Sequence, residues 1–276
     1  MISIYRGSTQ VSSEFHPLLE DIERAYWMKY YQGESILPTY ASTLSGGMAF
    51  AIPDLDILAM NRVLGIRAID NEILQQIISF YKNAGSSRFF IQLPPNVVSK
   101  GAQETLLENG FRFHNNWSKL FRKVEPLTIT TNDELVIREI DKRESYNYGQ
   151  LIFMSFDWPD TRLAEWLAST VGQSGYKNYI VSWQGKDIAA GALYVSGAMA
   201  SMAFAGTLEQ FRGKGAQSLL LKTRMRDAVD LGATFITAET AEHSEVKPVR
   251  SYLNMKKVGF QDAYLRQNWI YHLDDQ

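Results

Sequence analysis

The segment Arg212-Gly213-Lys214-Gly215-Ala216-Gln217 sets two cations and two glycines at the entrance to an apolar run, Leu219-Leu220-Leu221. Glycine lets a backbone bend and approach an anion without steric cost. The first amides of a helix have no intrahelical acceptor, and the helix dipole makes that end partly positive. With Arg212 and Lys214 adding charge, such a turn is a cradle for an anion, a phosphate above all. The alternative is an ordinary solvated turn that carries two basic residues.

The neighbouring elements decide what the turn can reach. Met199–Gly206 is small and apolar enough for a buried strand. Leu221, Met225, Ala228 and Val229 recur at helical spacing, and Gly232 suits the stop. Thr234–Thr240 reads as another strand. The unit is strand, basic turn, helix, strand. Such a unit places its strands parallel with a right-handed crossover, and ligands bind at the carboxyl ends of those strands.

The chain has 276 residues, enough for one large or two ordinary domains, and 45% hydrophobic content supports true cores. A net charge of −2 argues against general binding to nucleic acid or anionic membrane. The absence of cysteine removes disulfides, a thiol nucleophile and cysteine-based zinc sites. No apolar run approaches a membrane span, and no signal pattern opens the chain. The expectation is a soluble cytoplasmic protein, monomeric or homodimeric, with no metal.

In chain order, residues 13–32 predict a helix with Phe15, Leu18, Leu19, Ile22, Ala25, Tyr26 and Met28 on one face. Its aromatic stretch Tyr26–Tyr31 suits packing on a sheet or lining a groove. Gly46–Pro53 and Leu58–Ile66 predict strands, Asn71–Asn83 a helix stopped at Gly85, and Arg88–Leu93 a strand. Ala102–Asn109 predicts a short helix, with a last strand near Lys119–Arg122. Residues 126–134, with Pro126 and a Thr-rich stretch, form the expected linker between domains 1–125 and 135–276. The second half begins with a strand at Leu135–Ile140 and helices near Arg143–Phe156 and Thr161–Val171. A hairpin then joins Asn178–Trp183 to Ile188–Tyr194, and Ala198–Gly206 returns antiparallel. After the opening unit come a helix near Val246–Lys257 and a terminal strand at Leu265–Leu273.

The halves read as distant repeats. Gly85 and Gly232 each end a helix before a strand (232 − 85 = 147), and Gly110-Phe111 parallels Gly259-Phe260 (259 − 110 = 149). At the 147 offset the basic turn falls on Gly65-Ile66-Arg67-Ala68-Ile69-Asp70, which lacks paired glycines. The expectation is that only the second half binds a cofactor, while the first stabilises it or shapes a substrate groove.

The basic turn resembles the acyl-CoA pyrophosphate loop of the GNAT N-acetyltransferase superfamily, Gln/Arg-x-x-Gly-x-Gly/Ala. Arg212–Gln217 matches until its last position, where Gln217 replaces a small residue; Gln210-x-x-Gly213-x-Gly215 is the alternative register. Ser251–Met255, Gly259-Phe260 and Tyr264–Trp269 are similar to a bacterial subset of the superfamily with a divergent first half. The resemblance covers Leu135–Leu273, and the first half only through the repeat. It implies an α+β fold of two tandem domains, each a mostly antiparallel sheet with one parallel strand pair and flanking helices. It also implies an acyl-CoA, acetyl-CoA above all, and an amine acceptor. Backbone groups of Ala205, Gly206, Thr207 and Leu208 would pair with pantetheine. The amides of Arg212, Gly213, Lys214, Gly215, Ala216 and Gln217 would hold the pyrophosphate, with Ser218 next to them. Asn254 would bond to the cofactor or cap local backbone.

Acyl transfer from a thioester needs a neutral amine, a donor for the oxyanion and a proton for the leaving thiolate. Glu209 and Glu239, near the carboxyl ends of the flanking strands, are candidate bases or ordinary carboxylates, and transfer of the proton to water needs neither. His243 lies in a polar loop and is a weaker candidate. The resemblance places an acidic Tyr where this chain has Met255; Tyr252, one helical turn earlier, is then the candidate acid or a packing residue. Trp158, Trp166 and Tyr31 either line an acceptor pocket or fill the core. Three functions stay open: an N-acyltransferase, a non-catalytic acyl-CoA-binding protein, and a transferase that uses aminoacyl-tRNA. The net charge and the turn count against the last.

Overall fold

The computed structural model describes residues 15–44, 46–129 and 134–273, so part of the expected linker and the first two residues of the first expected helix lie outside the described residues. The first half runs α1 (His16–Gln32), β1 (Tyr40–Leu44), β2 (Gly47–Ala51), β3 (Arg62–Leu64), α2 (Asn71–Ala84), β4 (Arg88–Leu93), α3 (Lys100–Glu108) and β5 (Arg112–Lys123). The second runs β6 (Leu135–Glu139), α4 (Ser145–Phe156), α5 (Arg162–Ala168), β7 (Tyr176–Trp183), β8 (Lys186–Ser196) and β9 (Met199–Thr207). It continues through α6 (Ala216–Asp230), β10 (Phe235–Ala241), α7 (Arg250–Lys257) and β11 (Gln261–His272).

All the strands join one mixed sheet in the order β1-β2-β3-β4-β11-β5-β10-β9-β8-β7-β6. Alternation along the strands gives it two buried faces. One carries α1, α4 and α5 over Phe50, Leu64, Ile180 and Ala203. The other carries α6 and α7 over Val181, Leu193 and Ile236, and α2 and α3 over Val63, Phe89 and Ile91. Among the described residues no helix is long and apolar enough to cross a membrane.

The two halves share local backbone features at the offsets read from the sequence. Ser86 and Ala233 each donate to a carbonyl five residues back, Tyr81 and Ala228, so the two helix ends share a Schellman pattern at the same 147 offset (233 − 86 = 147). Phe111 and Phe260 do the same to Leu106 and Met255 at the 149 offset (260 − 111 = 149). Each half also has one parallel strand pair, β3–β4 and β9–β10. The terminal strands, however, interdigitate. β11 lies between β4 and β5, and β5 lies between β11 and β10, all antiparallel.

Several elements differ from the sequence expectations, among them β11, which starts at Gln261 rather than Leu265. Residues 58–60 form a 3-10 turn instead of opening a strand, because the Asn61 amide donates to the Leu55 and Ile57 carbonyls and its Oδ1 accepts from the Ile52 amide. β1 went unread, being an exposed edge strand with a mixed pattern. β5 is far longer than Lys119–Arg122, since its exposed Arg112–Asn115 end carries no hydrophobic alternation. α7 starts at Arg250 rather than Val246 because Pro248 disfavours helix in the residue before it, and His243 Nδ1 takes the Val249 amide proton at 3.0 Å.

A layer of buried charge lies where α1 crosses the interdigitated strands. Glu23 of α1 meets Arg266 of β11 at 3.0 Å, Lys119 of β5, and Arg62 of β3 at 3.7 Å. Glu20 accepts from Arg266 at 3.0 Å and from the Tyr264 hydroxyl at 2.5 Å. Glu239 of β10 pairs with Arg62 at 3.1 Å and with Arg266. Burial alone would raise the Glu23 carboxyl, but Arg266, Lys119 and Arg62 outweigh it and hold it far below the usual carboxylate range. Removing one member of such a set leaves buried charge uncompensated, at about 3–5 kcal/mol. Glu23→Gln is therefore expected to lose about that much stability in urea titrations at pH 7. Because the folded-state value is depressed, the wild-type contribution is complete above the unfolded glutamate value of about 4.3 and declines as pH falls below it. The difference between wild type and variant should shrink between about pH 5 and pH 3; a constant difference would contradict the assignment.

Candidate functional site

β9 and β10 pair only from Met199↔Phe235 to Ser201↔Thr237. Beyond that point β10 stays with β5 as far as Ala241↔Trp117, while β9 stays with β8 as far as Thr207↔Ala189. The two parallel strands thus fork, and residues 202–207 of β9 have no strand partner on their β10 side.

At the open end of the fork β9 runs into the basic turn. Gly213 and Gly215 have φ of +87° and +93°, a left-handed geometry that costs other residues about 1–2 kcal/mol. Gly215 caps α6 with no side-chain partner, and the first helical bond runs from the Leu219 amide to the Gly215 carbonyl at 3.0 Å. The preceding amides of the helix start are left for another acceptor. A side chain at Gly213 would meet nothing within 4 Å, so the backbone is bare on that side.

A cavity of about 680 Å³ opens against this turn. That volume is in the range of small-molecule sites. Of the residues expected at a cofactor site, Ala205, Gly206, Thr207, Arg212, Gly213, Gly215, Ala216, Gln217 and Asn254 line it. Leu208, Lys214 and Ser218 are absent from the lining. Leu208 is buried, its amide bonded to the Ile188 carbonyl at 2.9 Å. The Lys214 ammonium sits over the Trp183 ring at 4.3 Å, and Ser218 is exposed.

Several wall residues were missed. Arg250 and Lys257 of α7 line the cavity with Asn254, at positions i, i+4 and i+7 of one helix face. That spacing was visible in the sequence. Ser155 and Phe156, at the end of α4, form the opposite wall; a Cβ on Gly206 would lie 2.3 Å from the Ser155 Cβ, so glycine lets α4 close on β9. No sequence signal links those segments. The lining holds three cations, Arg212, Arg250 and Lys257, and no carboxylate. In a chain whose net charge is −2, that local balance selects an anion.

The first-half counterpart of the turn is filled. The Asp70 carboxylate accepts from the Ile73 amide at 2.8 Å, capping α2 where an anion would stand. Ile66 is buried.

The three expected catalytic residues do not converge. Glu209 lies in the 3-10 turn 209–211 with its side chain exposed, 3.5 Å from Arg212. Glu239 lies on β10 past the fork, 13% exposed, between Arg62 and Arg266. Tyr252 stands outside the cavity lining, donates to Asp262 at 2.9 Å and stacks on His243 at 4.7 Å. Burial and the hydrogen bond to Asp262 push its phenol up to about 12. Trp166 and Tyr31 are buried in the core, while Trp158 stacks on Phe156 at 4.6 Å beside the cavity wall.

A GCN5-related N-acetyltransferase from Kribbella flavida matches with a TM-score of 0.65 at 13% identity, over 93% of this chain and 97% of that one. The fold is the GNAT fold. A tandem GNAT protein from the clavulanic acid biosynthesis pathway matches with a TM-score of 0.58 at 8% identity, over 93% and 94% of the two chains. A GCN5-related N-acetyltransferase from Sphaerobacter thermophilus gives 0.59 at 12% identity, over 83% and 81%. No family model matches the sequence, and no curated protein does. The likeness extends across both halves of the tandem GNAT architecture.

Since Asp262 contributes to the raised phenol of Tyr252, Asp262→Asn should bring its titration down toward the ordinary value of about 10. The ring carbon resonances of labelled tyrosine followed between pH 8 and 12 would show it; a midpoint that stays near the wild-type value would separate the phenol from Asp262.

Proposed function

We propose that the chain is an acyl-CoA-dependent N-acyltransferase, with acetyl-CoA as donor and a small-molecule or peptide amine as acceptor. The observation that carries this reading is the uncapped start of α6, opening on a carboxylate-free cavity with three cations beside the β9–β10 fork. The diphosphate would take the amides of Gly213–Gln217, with Arg212 beside it. Arg250 and Lys257, on the α7 wall, would take further phosphate charge. The pantetheine arm would use the free edge of residues 203–207 and so bring its thioester into the fork.

Transfer is direct. The lone pair of the neutral amine forms the new C–N bond at the thioester carbonyl carbon, and the carbonyl electrons move to oxygen. On collapse the C–S bond breaks and the thiolate leaves. The nitrogen gives its surplus proton to water, and the thiolate is protonated by solvent. Solvent takes these roles because none of Glu209, Glu239 and Tyr252 presents a free group to the cavity. Glu239, on the fork strand, is held by Arg62 and Arg266 instead.

A second reading, a non-catalytic acyl-CoA-binding protein, is favoured by Tyr252 being bonded to Asp262 and by Met255 being buried in α7. Thiol release from acetyl-CoA across a panel of amines separates the two. Transfer to at least one amine is expected, and tight binding with no release to any amine would favour the second reading.

Gly215→Glu should abolish acetyl-CoA binding, because it sets a like charge and a strained side chain in the cradle. Arg250→Glu and Lys257→Glu should each weaken it about tenfold, roughly 1.4 kcal/mol. Calorimetry on the folded variants measures both, and wild-type affinity in Gly215→Glu would overturn the site.

A further inference from the structure

β9 is irregular where the fork opens. It pairs with β8 at Met202↔Leu193 and again at Ala205↔Gly191, so Ala203 and Phe204 together face Ala192. This is a β-bulge, a feature that bends a strand and re-aims its groups. It begins two residues past Ser201, the last residue of β9 joined to β10. The bulge also breaks the alternation. Ala203 and Phe204 both pack on the α1 side of the sheet, whereas Met202 before them packs on the α6 side.

Arg224 of α6 reaches the bulge from below. Its guanidinium is fully buried and has no carboxylate partner among the described residues. Nη1 donates to the carbonyls of Ala192 at 3.0 Å and Ala203 at 3.4 Å, the residues that face each other across the bulge. Nε donates to the Leu220 carbonyl at 3.1 Å. Gly191 leaves room for it, since a Cβ there would lie 3.5 Å from the guanidinium carbon and 3.0 Å from the Ala205 Cβ. Burial lowers the group to about 10, so it remains protonated at neutral pH. From the other face the Phe204 ring meets Trp27 and Tyr30 of α1 edge-on, at 5.4 and 5.5 Å, and Trp158 and Trp166 close the other sides. A buried, unpaired guanidinium is an expensive way to fill space that a Met or Leu would fill. It makes three carbonyl contacts, two of them at the bulge, while its Nη2 is buried without a hydrogen-bond partner.

We propose that Arg224 is a positioning residue for acyl transfer. By holding the carbonyls of Ala192 and Ala203 together it fixes the bent register of β9, and with it the place along the open fork edge where the reacting end of the acyl donor lies. The proposal rests on the acyl-transfer reading. Arg224 touches neither substrate nor cofactor; it acts through the strand, and α1 of the first half holds the same strand from above through Trp27 and Tyr30.

The test uses the full chain with Arg224→Met and Arg224→Lys. Thiol release is followed from acetyl-CoA with the best amine of the panel and with water alone as acceptor. Amide chemical shifts of Phe204 and Ala205 are followed in labelled protein. In both variants kcat should fall about 10²-fold, the scale for reacting groups displaced by about 1 Å, while the Kd for coenzyme A stays within about twofold. The two amide resonances should move away from their wild-type positions. Lysine, with a point charge in place of a planar fork, should restore stability better than rate. A residue that only supported the fold would lower the melting temperature and leave kcat alone. Wild-type kcat with unmoved amide shifts in either folded variant overturns the proposal, and Arg224→Lys keeps charge and length should the Met variant not fold. If wild-type protein binds no acetyl-CoA, the acyl-transfer reading fails separately, and the amide shifts still decide whether Arg224 holds the bulge.

Discussion

A carboxylate at the position of Glu23 cannot be buried alone. It is 1% exposed on a helix of the first half, and the cations that make its burial tolerable stand on β3, β5 and β11. Two of those strands belong to the first half and one to the second. The electrostatic constraint therefore acts on the arrangement of strands: α1 sits correctly only when β5 and β11 lie side by side beneath it. Glu239 of β10 is joined to the same set through Arg62 and Arg266, so the strand that forms one side of the fork is fixed by it too. Buried polar layers of this kind add little net stability, and their influence falls mainly on which arrangement is permitted.

That constraint leads to the site through α1. Trp27 and Tyr30 share the helix with Glu23 and pack on Phe204, the bulge residue of the other half. Arg62, stacked 3.8 Å over Trp27, connects the charged layer to the aromatic one. The first half thus contributes to the second half's fork through packing. Its own helix start is closed by Asp70. The two helix starts differ in small ways, a capping carboxylate in one and paired glycines in the other.

Much of this was legible in the residues. The strand–turn–helix–strand unit followed from helical spacing, a glycine stop and small apolar strands, and the glycines of the turn lie where their left-handed φ values require them. The matching helix ends were visible because Gly85 and Gly232, and Gly110 and Gly259, mark left-handed backbone positions. Other parts depend on contacts that no local pattern specifies. The pairing of β5 with β10 and β11 is a long-range choice, and Arg112–Asn115 looks like loop because one end of β5 is exposed. Ser155 and Phe156 reach the cavity only because α4 closes on Gly206. Nothing in the sequence marks Arg224; its burial beneath a bulge needs the register of two strands to be known. Tyr252 was placed by helical phase near the right face, but it turns to Asp262 together with Lys256, while Ser251 and Leu253 on either side of it line the cavity.

The interdigitated strands also set an order of events. During synthesis the first half emerges with β4 and β5 made, yet the slot between them stays vacant until β11 has been translated. Until then two sheet edges lie open, and Lys119 and Glu23 wait for Arg266. Open edges recruit whatever strand is nearest. The slot between β4 and β5 thus stays unfilled by its strand for about half of synthesis, and a chain interrupted just before β11 would lack the middle of its sheet, not its end.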